Sequence, residues 1–291
     1  MVRVLALLAG IFLPVSAMCQ PLNVVASNSV LGYLVERLAG AEAVVSMPVP
    51  EDVDPAEWQP AIAAIAAVQA ADLIVLNGAD YEAWAGRVSL PRARTVEVTR
   101  GWDSEFIAIK GQSHSHGDGE AHSHDGLAPL LWLDFKLAAR YADTLAEALA
   151  QRAPDAKIDT NLAALRADLS ALDAEATVIG GTSGGTTLLT WQPGYEYFGR
   201  AYGFTLREVT FDAEGAASEE QIANMEAALS ESDARTMLWG APPPASTAKA
   251  LEALGVTVVV LPTAQNVPPG TDITALWRKG LADLTAALGP R

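Results

Sequence analysis

Apolar segments with two different periods alternate along the chain after about residue 20. Short apolar runs, such as "LNVVA" and "LIVLN", alternate with stretches that carry apolar residues at helical spacing, such as "SVLGYLVERLA". The same alternation returns from "ATVIGG" at 176–181 to "VTVVVLP" at 256–262. Strands that alternate with helices predict parallel sheets covered by helices. We therefore predict an α/β fold of two Rossmann-like lobes, each a mainly parallel sheet with flanking helices.

A mostly helical stretch separates the two sets of predicted strands. It is interrupted near Pro154, and its second part, 155–175, keeps apolar residues at helical spacing. A helix of roughly 20 residues is about 30 Å long, enough to connect two lobes as a stiff rod. We predict an N-terminal lobe at 20–150, one long rigid linking helix at 155–175 and a C-terminal lobe at 176–291.

The first 19 residues have the pattern of a secretory signal peptide. Arg3 precedes an apolar run over 4–14 and small residues at 15–17, and the run is too short to span a membrane. We predict removal of residues 1–19 and a periplasmic location. Cys19 is the single cysteine, so no disulfide can form within the chain. Lipid attachment at Cys19 is disfavoured by the bulky Met18, where lipoprotein signals carry a small residue.

The charge balance argues against nucleic-acid binding, and the context of one glycine-rich motif argues against hydrolase activity. The formal net charge is −16, with 35 acidic against 19 basic residues, which argues against nucleic acid as a partner. The motif "GTSGG" at 181–185 fits a hydrolase nucleophile pattern, but no histidine follows it in the chain. We interpret it as a glycine-rich turn after a strand, at the edge of a cleft between the two lobes, and we expect no enzymatic activity.

All four histidines lie in one polar segment within the predicted loop at 111–126. They form two pairs spaced by two residues, so in extended backbone each pair points to one side. Two such pairs can close around one Zn²⁺, with nearby carboxylates as further donors, although the flexible loop loses chain entropy on closing. The alternative is a polar insert without a metal. The predicted metal ligands are His114, His116, His122 and His124.

Several longer motifs resemble one known family over nearly the whole chain after residue 20. In chain order they are "VVASNSVLGYLVERLAG", "ADLIVLNGADYEAW", "PLLWLDFKLAARYADTLAEAL" and "YEYFGRAYGF". The chain thereby resembles the solute-binding proteins of zinc and manganese ABC transporters (cluster A-I). The resemblance implies two lobes joined by a rigid helix, Zn²⁺ or Mn²⁺ as ligand in the cleft between them, and delivery to a membrane permease. It also implies a mobile histidine-rich loop before the "WLD" motif.

The metal ligands of that family do not carry over to this chain. The positions of its three histidines and its carboxylate fall on Ala56, Leu130, Gln192 and about Pro262, and a nearby glutamate falls at about Gly240 or Ala241. Zinc sites need about four nitrogen, sulfur or carboxylate donors. The usual cleft site is therefore predicted to be absent.

Other side chains near these positions are candidates for a different cleft site. Carboxylates suit a hard cation such as Mn²⁺, whereas aromatic side chains suit an organic ligand or a metal complex. The alternative is that they cap helices and pack the lobes. The candidates are Asp54, Glu57, Trp58, Trp132, Asp134, Gln192, Tyr195 and Trp239.

Two functions remain open at this point. The first is a solute-binding protein for metal uptake that acts as a monomer and binds a metal ion or a metal complex. The second is a periplasmic zinc buffer or metallochaperone that uses the histidine-rich loop and has a vestigial cleft.

Overall fold

The computed structural model describes residues 20–51, 53–109, 126–154, 156–212 and 215–289. Its first sheet has four parallel strands in the order β2-β1-β3-β4. Helices α1 and α2 connect the first three strands. A short antiparallel pair, β5 and β6, follows. The bounds are β1 Leu22–Ala26, α1 Ser29–Ala39, β2 Ala43–Ser46, α2 Ile62–Ala70, β3 Leu73–Leu76, β4 Thr95–Glu97, β5 Ala108–Ile109 and β6 Gly126–Leu127.

Two long helices connect this sheet to the second one. Helix α3 covers Phe135–Ala150, and helix α4 covers Ile158–Thr182, so Pro154 lies in the break between them. The 25 residues of α4 make it about 37 Å long. It packs against α1 and α3 on one side.

The second sheet also has four parallel strands, in the order β10-β9-β7-β8. Helices α5 and α8 of this lobe pack against α4. The bounds are β7 Thr187–Thr190, α5 Glu196–Tyr202, β8 Thr205–Glu208, α6 Glu219–Glu231, β9 Thr236–Trp239, α7 Ala245–Ala253, β10 Thr257–Val260 and α8 Ile273–Leu288. The predicted fold class, two mainly parallel sheets with flanking helices joined by one long helix, is confirmed.

The predicted strand at 176–181 is wrong, because helix α4 continues through it. Buried positions along α4 recur every three or four residues, and Ala176 and Ile179 extend that series. Val178, between them, is 64% exposed. Instead of following a strand, "GTSGG" begins inside the last turn of α4, with Ser183 as its C-cap. The first strand of the second sheet starts only at Thr187.

The largest apolar cluster extends through both lobes. It includes buried residues of β1, α1, α3, α4, α5 and α8, so the interior of one lobe continues into the other. Within the described ranges, no helix combines the length and the apolarity that a membrane crossing requires.

Candidate ligand site between the lobes

The strand orders define where a ligand would bind in each sheet. In open parallel sheets, ligands bind outside the carboxyl ends of the strands, at the place where the strand order reverses. That place lies between β1 and β3 in the first sheet and between β7 and β9 in the second. Loops from these ends touch across the lobes, since Ser29 N–H donates to Gln265 O at 2.9 Å and Tyr81 Oη donates to Gln265 Oε1 at 3.1 Å.

A buried carboxylate of the protein itself occupies the reversal point of the first sheet. Glu82 is 7% exposed and accepts hydrogen bonds from the Ser27 hydroxyl, at the end of β1, and from the N–H groups of Asn77 and Gly78, after β3. Burial raises the pKa of Glu82, and these hydrogen bonds oppose the increase. Its bonds fix the turn that begins with the left-handed residues 78–80.

Two stacked indole rings occupy the reversal point of the second sheet. Trp191, just after β7, lies parallel to Trp239, the last residue of β9, with ring centroids 4.8 Å apart and planes 9° apart. Trp239 is buried and belongs to the apolar core below α6 and α7. Both reversal points therefore contain side chains of the protein.

The positions that correspond to the resembled family's ligands make apolar or backbone contacts. Ala56 packs against the largest apolar cluster. Leu130 is buried so close to Gly194 that a Cβ on that glycine would lie 2.8 Å from Leu130 Cδ1. The Pro262 carbonyl accepts a hydrogen bond from Trp277 Nε1 at 2.9 Å. Gln192 is half-buried beside Trp191 in sequence.

The predicted carboxylates have local structural roles. Asp54 accepts a hydrogen bond from Ala56 N–H at 2.9 Å, and Glu57 next to it is exposed. Asp54 as a whole is exposed to solvent, but protein atoms surround its carboxyl group. Desolvation of this group raises the pKa of Asp54, and the negative charge of Glu57 raises it further. Asp134 caps α3 by accepting from Lys136 N–H at 3.0 Å. Desolvation also raises the pKa of Asp134.

The predicted aromatic residues are buried in contacts with other parts of the protein. Trp58 packs edge to face on Trp84 in the core of the first lobe, with centroids 5.6 Å apart. Trp132 donates from Nε1 to Thr263 O at 2.8 Å, and Tyr195 donates to Leu261 O at 2.8 Å. Burial raises the pKa of Tyr195 well above its usual range. The structure thus places Trp132 at the contact between the lobes and Trp58 away from it.

Metal ligands do not cluster in the part of the chain that the structure describes. No group of three His, Cys, Asp or Glu side chains there could hold a metal ion. The predicted ligands His114, His116, His122 and His124 lie outside the described residues. Strand β5 pairs with β6 through Ile109 and Gly126, so the two ends of that segment lie side by side.

Sequence reasoning missed the residues that connect the lobes after β10. The Asn266 amide donates to the carbonyl oxygens of Pro50, at 2.7 Å, and Val53, at 2.9 Å. Its partners are more than 210 positions away in the chain, and an asparagine in a loop carries no signal of them. Because the run "PTAQN" follows a predicted strand, the sequence predicts only that Asn266 lies at the carboxyl end of the sheet.

Comparisons with known proteins place the chain in a family. The family model described as "Zinc-uptake complex component A periplasmic" (ZnuA) matches residues 24–287. The manganese-binding lipoprotein MntA of Halalkalibacterium halodurans is 32% identical over 191 residues, which cover 64% of this chain and 59% of MntA. The manganese ABC transporter substrate-binding lipoprotein PsaA of Streptococcus pneumoniae is 29% identical over 69% of this chain and 66% of PsaA. The matches thus span less than two thirds of these relatives' lengths.

Solved structures resemble the fold of the chain. Zn(II)-bound AdcA from Streptococcus pneumoniae superposes with a TM-score of 0.76 at 18% identity, over 93% of this chain and 58% of AdcA. The crystal structure of ZnuA superposes with a TM-score of 0.67 at 21% identity, over 93% of this chain and 100% of that one. Identities this low support the fold alone, whereas the family model covers most of the sequence. The chain belongs to the periplasmic zinc-uptake complex component A family.

Proposed function

We propose that this protein is the solute-binding component of an ABC-type metal uptake system, which binds its ligand between two lobes and delivers it to a membrane permease. The observation that carries the proposal is the contact between the strand-end loops of two parallel sheets, in a chain that the family model matches over 24–287. Relatives named as manganese-binding and substrate-binding lipoproteins support it. The family is one of solute-binding proteins, and this role needs no catalytic residue.

We propose Zn²⁺ or Mn²⁺, free or as a complex, as the transported ligand. Four imidazoles, His114, His116, His122 and His124, match the number and kind of donors that zinc prefers. Among the candidate cleft residues, Asp54, Glu57, Asp134 and Gln192 carry the remaining carboxylate and amide oxygen donors. A location in the periplasm, or tethered to a membrane through Cys19 as the relatives' lipoprotein names suggest, fits this role.

A second function is favoured by one specific observation. In the described part of the chain, no three potential ligands come together, so the donors with metal-site spacing are the four histidines. A periplasmic zinc buffer or metallochaperone would bind the ion with this segment and transfer it, while the cleft stays empty of metal.

Calorimetric titration with Zn²⁺ and with Mn²⁺ tests both functions. The full chain is compared with a variant that lacks residues 112–126 and with one in which the four histidines are replaced by asparagine. A control with Ser113, Ser115 and Ser123 replaced by alanine alters the same segment but keeps every imidazole. Binding that survives both the deletion and the histidine replacement supports a cleft site and the uptake role. Binding lost in both, but kept in the control, supports the buffer. No binding of either ion by the full chain contradicts the buffer and the uptake of a free ion.

We further propose that the protein acts as a monomer without a nucleic acid partner, in line with its net charge of −16. Light scattering coupled to size exclusion checks this, since a monomer of the whole chain has a mass of 30.5 kDa. A mass near twice that value at micromolar concentration would contradict the monomer.

A further inference from the structure

We call the segment at residues 263–267 the latch. The residues just before it are fixed to the second lobe by hydrogen bonds. The two carbonyls just before it are held by the second lobe: Leu261 O accepts from Tyr195 Oη and Pro262 O accepts from Trp277 Nε1. Within the latch, Ala264 has a φ of 59°, a left-handed conformation that is uncommon for a residue with a Cβ. The backbone thus turns sharply directly after its anchor.

Most latch residues then make a hydrogen bond to the first lobe. Trp132 Nε1 donates to Thr263 O at 2.8 Å. Gln265 accepts twice, at its carbonyl from Ser29 N–H and at its side chain from Tyr81 Oη. Val267 N–H donates to Ser29 Oγ at 2.9 Å. The bonds reach the start of α1, the turn after β3 and the segment before α3, so they connect three separate parts of the first lobe.

Asn266 makes the densest of these contacts. Its Nδ2 lies 2.7 Å from Pro50 O, 2.9 Å from Val53 O and 3.3 Å from Glu51 O. Three carbonyls of one loop therefore surround a single amide group that has two hydrogens to donate. The same loop continues directly into Asp54 and Glu57, so the latch is hydrogen-bonded to the start of the candidate ligand loop.

We infer that the latch holds the two lobes closed without any ligand, and that a ligand enters or leaves the site between them only when the latch is displaced. The inference rests on the proposed function for the identity of the ligand, but the closure itself follows from contacts within the protein. Every bond of the latch joins one group of the protein to another. Because the latch contacts Trp132 and the loop before Asp54, a ligand that moves either of them also strains the latch.

Hydrogen exchange on the metal-free full chain tests the inference. After dialysis against a chelator, wild-type protein should show protected amides at Ser29 and Val267, whose N–H groups donate to Gln265 O and to Ser29 Oγ, and zinc or manganese should change that protection less than twofold. Asn266→Ala should raise exchange at both amides about tenfold, the factor that corresponds to losing a net hydrogen bond. Asn161→Ala is the matched control, since its Nδ2 donates to Leu38 O within the contact of α4 with α1. It should leave both amides protected.

A second variant keeps the test decisive if Asn266→Ala does not fold. Tyr81→Phe removes only the bond to Gln265 Oε1 and should raise exchange in the latch by a smaller factor. The inference is overturned if metal-free wild-type protein exchanges freely at the latch and becomes protected on adding metal, or if neither variant changes exchange there. Absence of binding of the free ions would contradict uptake of a free ion, whereas exchange of the metal-free protein would still test the latch.

Discussion

Gly180, near the end of helix α4, offers a sharp test of how the long helix packs on the second lobe. A Cβ added at Gly180 would lie 2.0 Å from the carbonyl oxygen of Tyr202 and 2.9 Å from its carbonyl carbon. Real Cβ atoms almost never approach another heavy atom within 3.0 Å, so the contact with the oxygen is too short by a full ångström. Both atoms belong to the backbone at the end of α5, so no side-chain rotation relieves the clash. Gly180→Ala therefore forces α4 and α5 apart.

The expected decrease in the free energy of unfolding follows from the severity of that clash. Over-packing of a close-packed interior costs typically 1–3 kcal/mol, and a clash with immobile backbone belongs at the upper end, about 3 kcal/mol. The neighbouring Gly181 provides the control, because a Cβ there has nothing within 4 Å. Gly181→Ala should stabilise the protein by up to about 1 kcal/mol through helix propensity. Two substitutions one residue apart should thus differ by about 4 kcal/mol in the free energy of unfolding.

Guanidinium denaturation of the metal-free protein measures both variants. Tryptophan fluorescence and far-ultraviolet circular dichroism should give the same midpoint, which justifies a two-state treatment and a linear extrapolation. The reasoning is refuted if Gly180→Ala lies within about 0.5 kcal/mol of wild type, the range usual for substitutions without a clash.

Three further predictions concern hydrogen bonds described above. Glu82→Gln should lower stability by about 1–3 kcal/mol, because its amide N–H₂ would face a backbone N–H. Since the folded-state pKa of Glu82 is raised above 4.5, urea melts should also show wild type losing stability relative to Glu82→Gln as pH rises from 4.5 through that raised pKa. Trp132→Phe should cost about 1–2 kcal/mol in urea, and Trp84→Phe less, since no partner of Trp84 Nε1 occurs among the described residues. Asp134→Ala removes the cap of α3 and should cost about 1 kcal/mol, measured by thermal unfolding.

Local periodicity predicted the fold class and most of the elements, because the strands and helices here follow simple patterns. The "LIVL" run of β3 is buried at every position, as expected for a central parallel strand. The run at 176–181 was misread because its β-branched Thr177 and Val178 resemble a strand, whereas the buried series of α4 continues through Ala176 and Ile179. A short window cannot distinguish these two patterns.

The candidate site was harder to predict, since residue type does not reveal which surface a side chain faces. Trp58 and Trp132 both sit in motifs that resemble ligand loops, yet one packs in the core of the first lobe and the other bonds to Thr263 across the lobes. The place of Glu82 between β1 and β3 depends on a strand order that no local pattern encodes. Such contacts arise from tertiary packing.

Helix α4 packs against the helices of both lobes, so it couples the unfolding of one lobe to that of the other. Arg37 of α1 pairs with Asp168 at 2.7 Å, while Arg278 of α8 pairs with Glu175 at 3.7 Å, and the apolar cluster continues past the helix on both sides. Neither sheet can lose α4 without exposing the interior of the other. The two lobes should therefore melt as one cooperative unit, with a single calorimetric peak, although each resembles a domain that could fold alone.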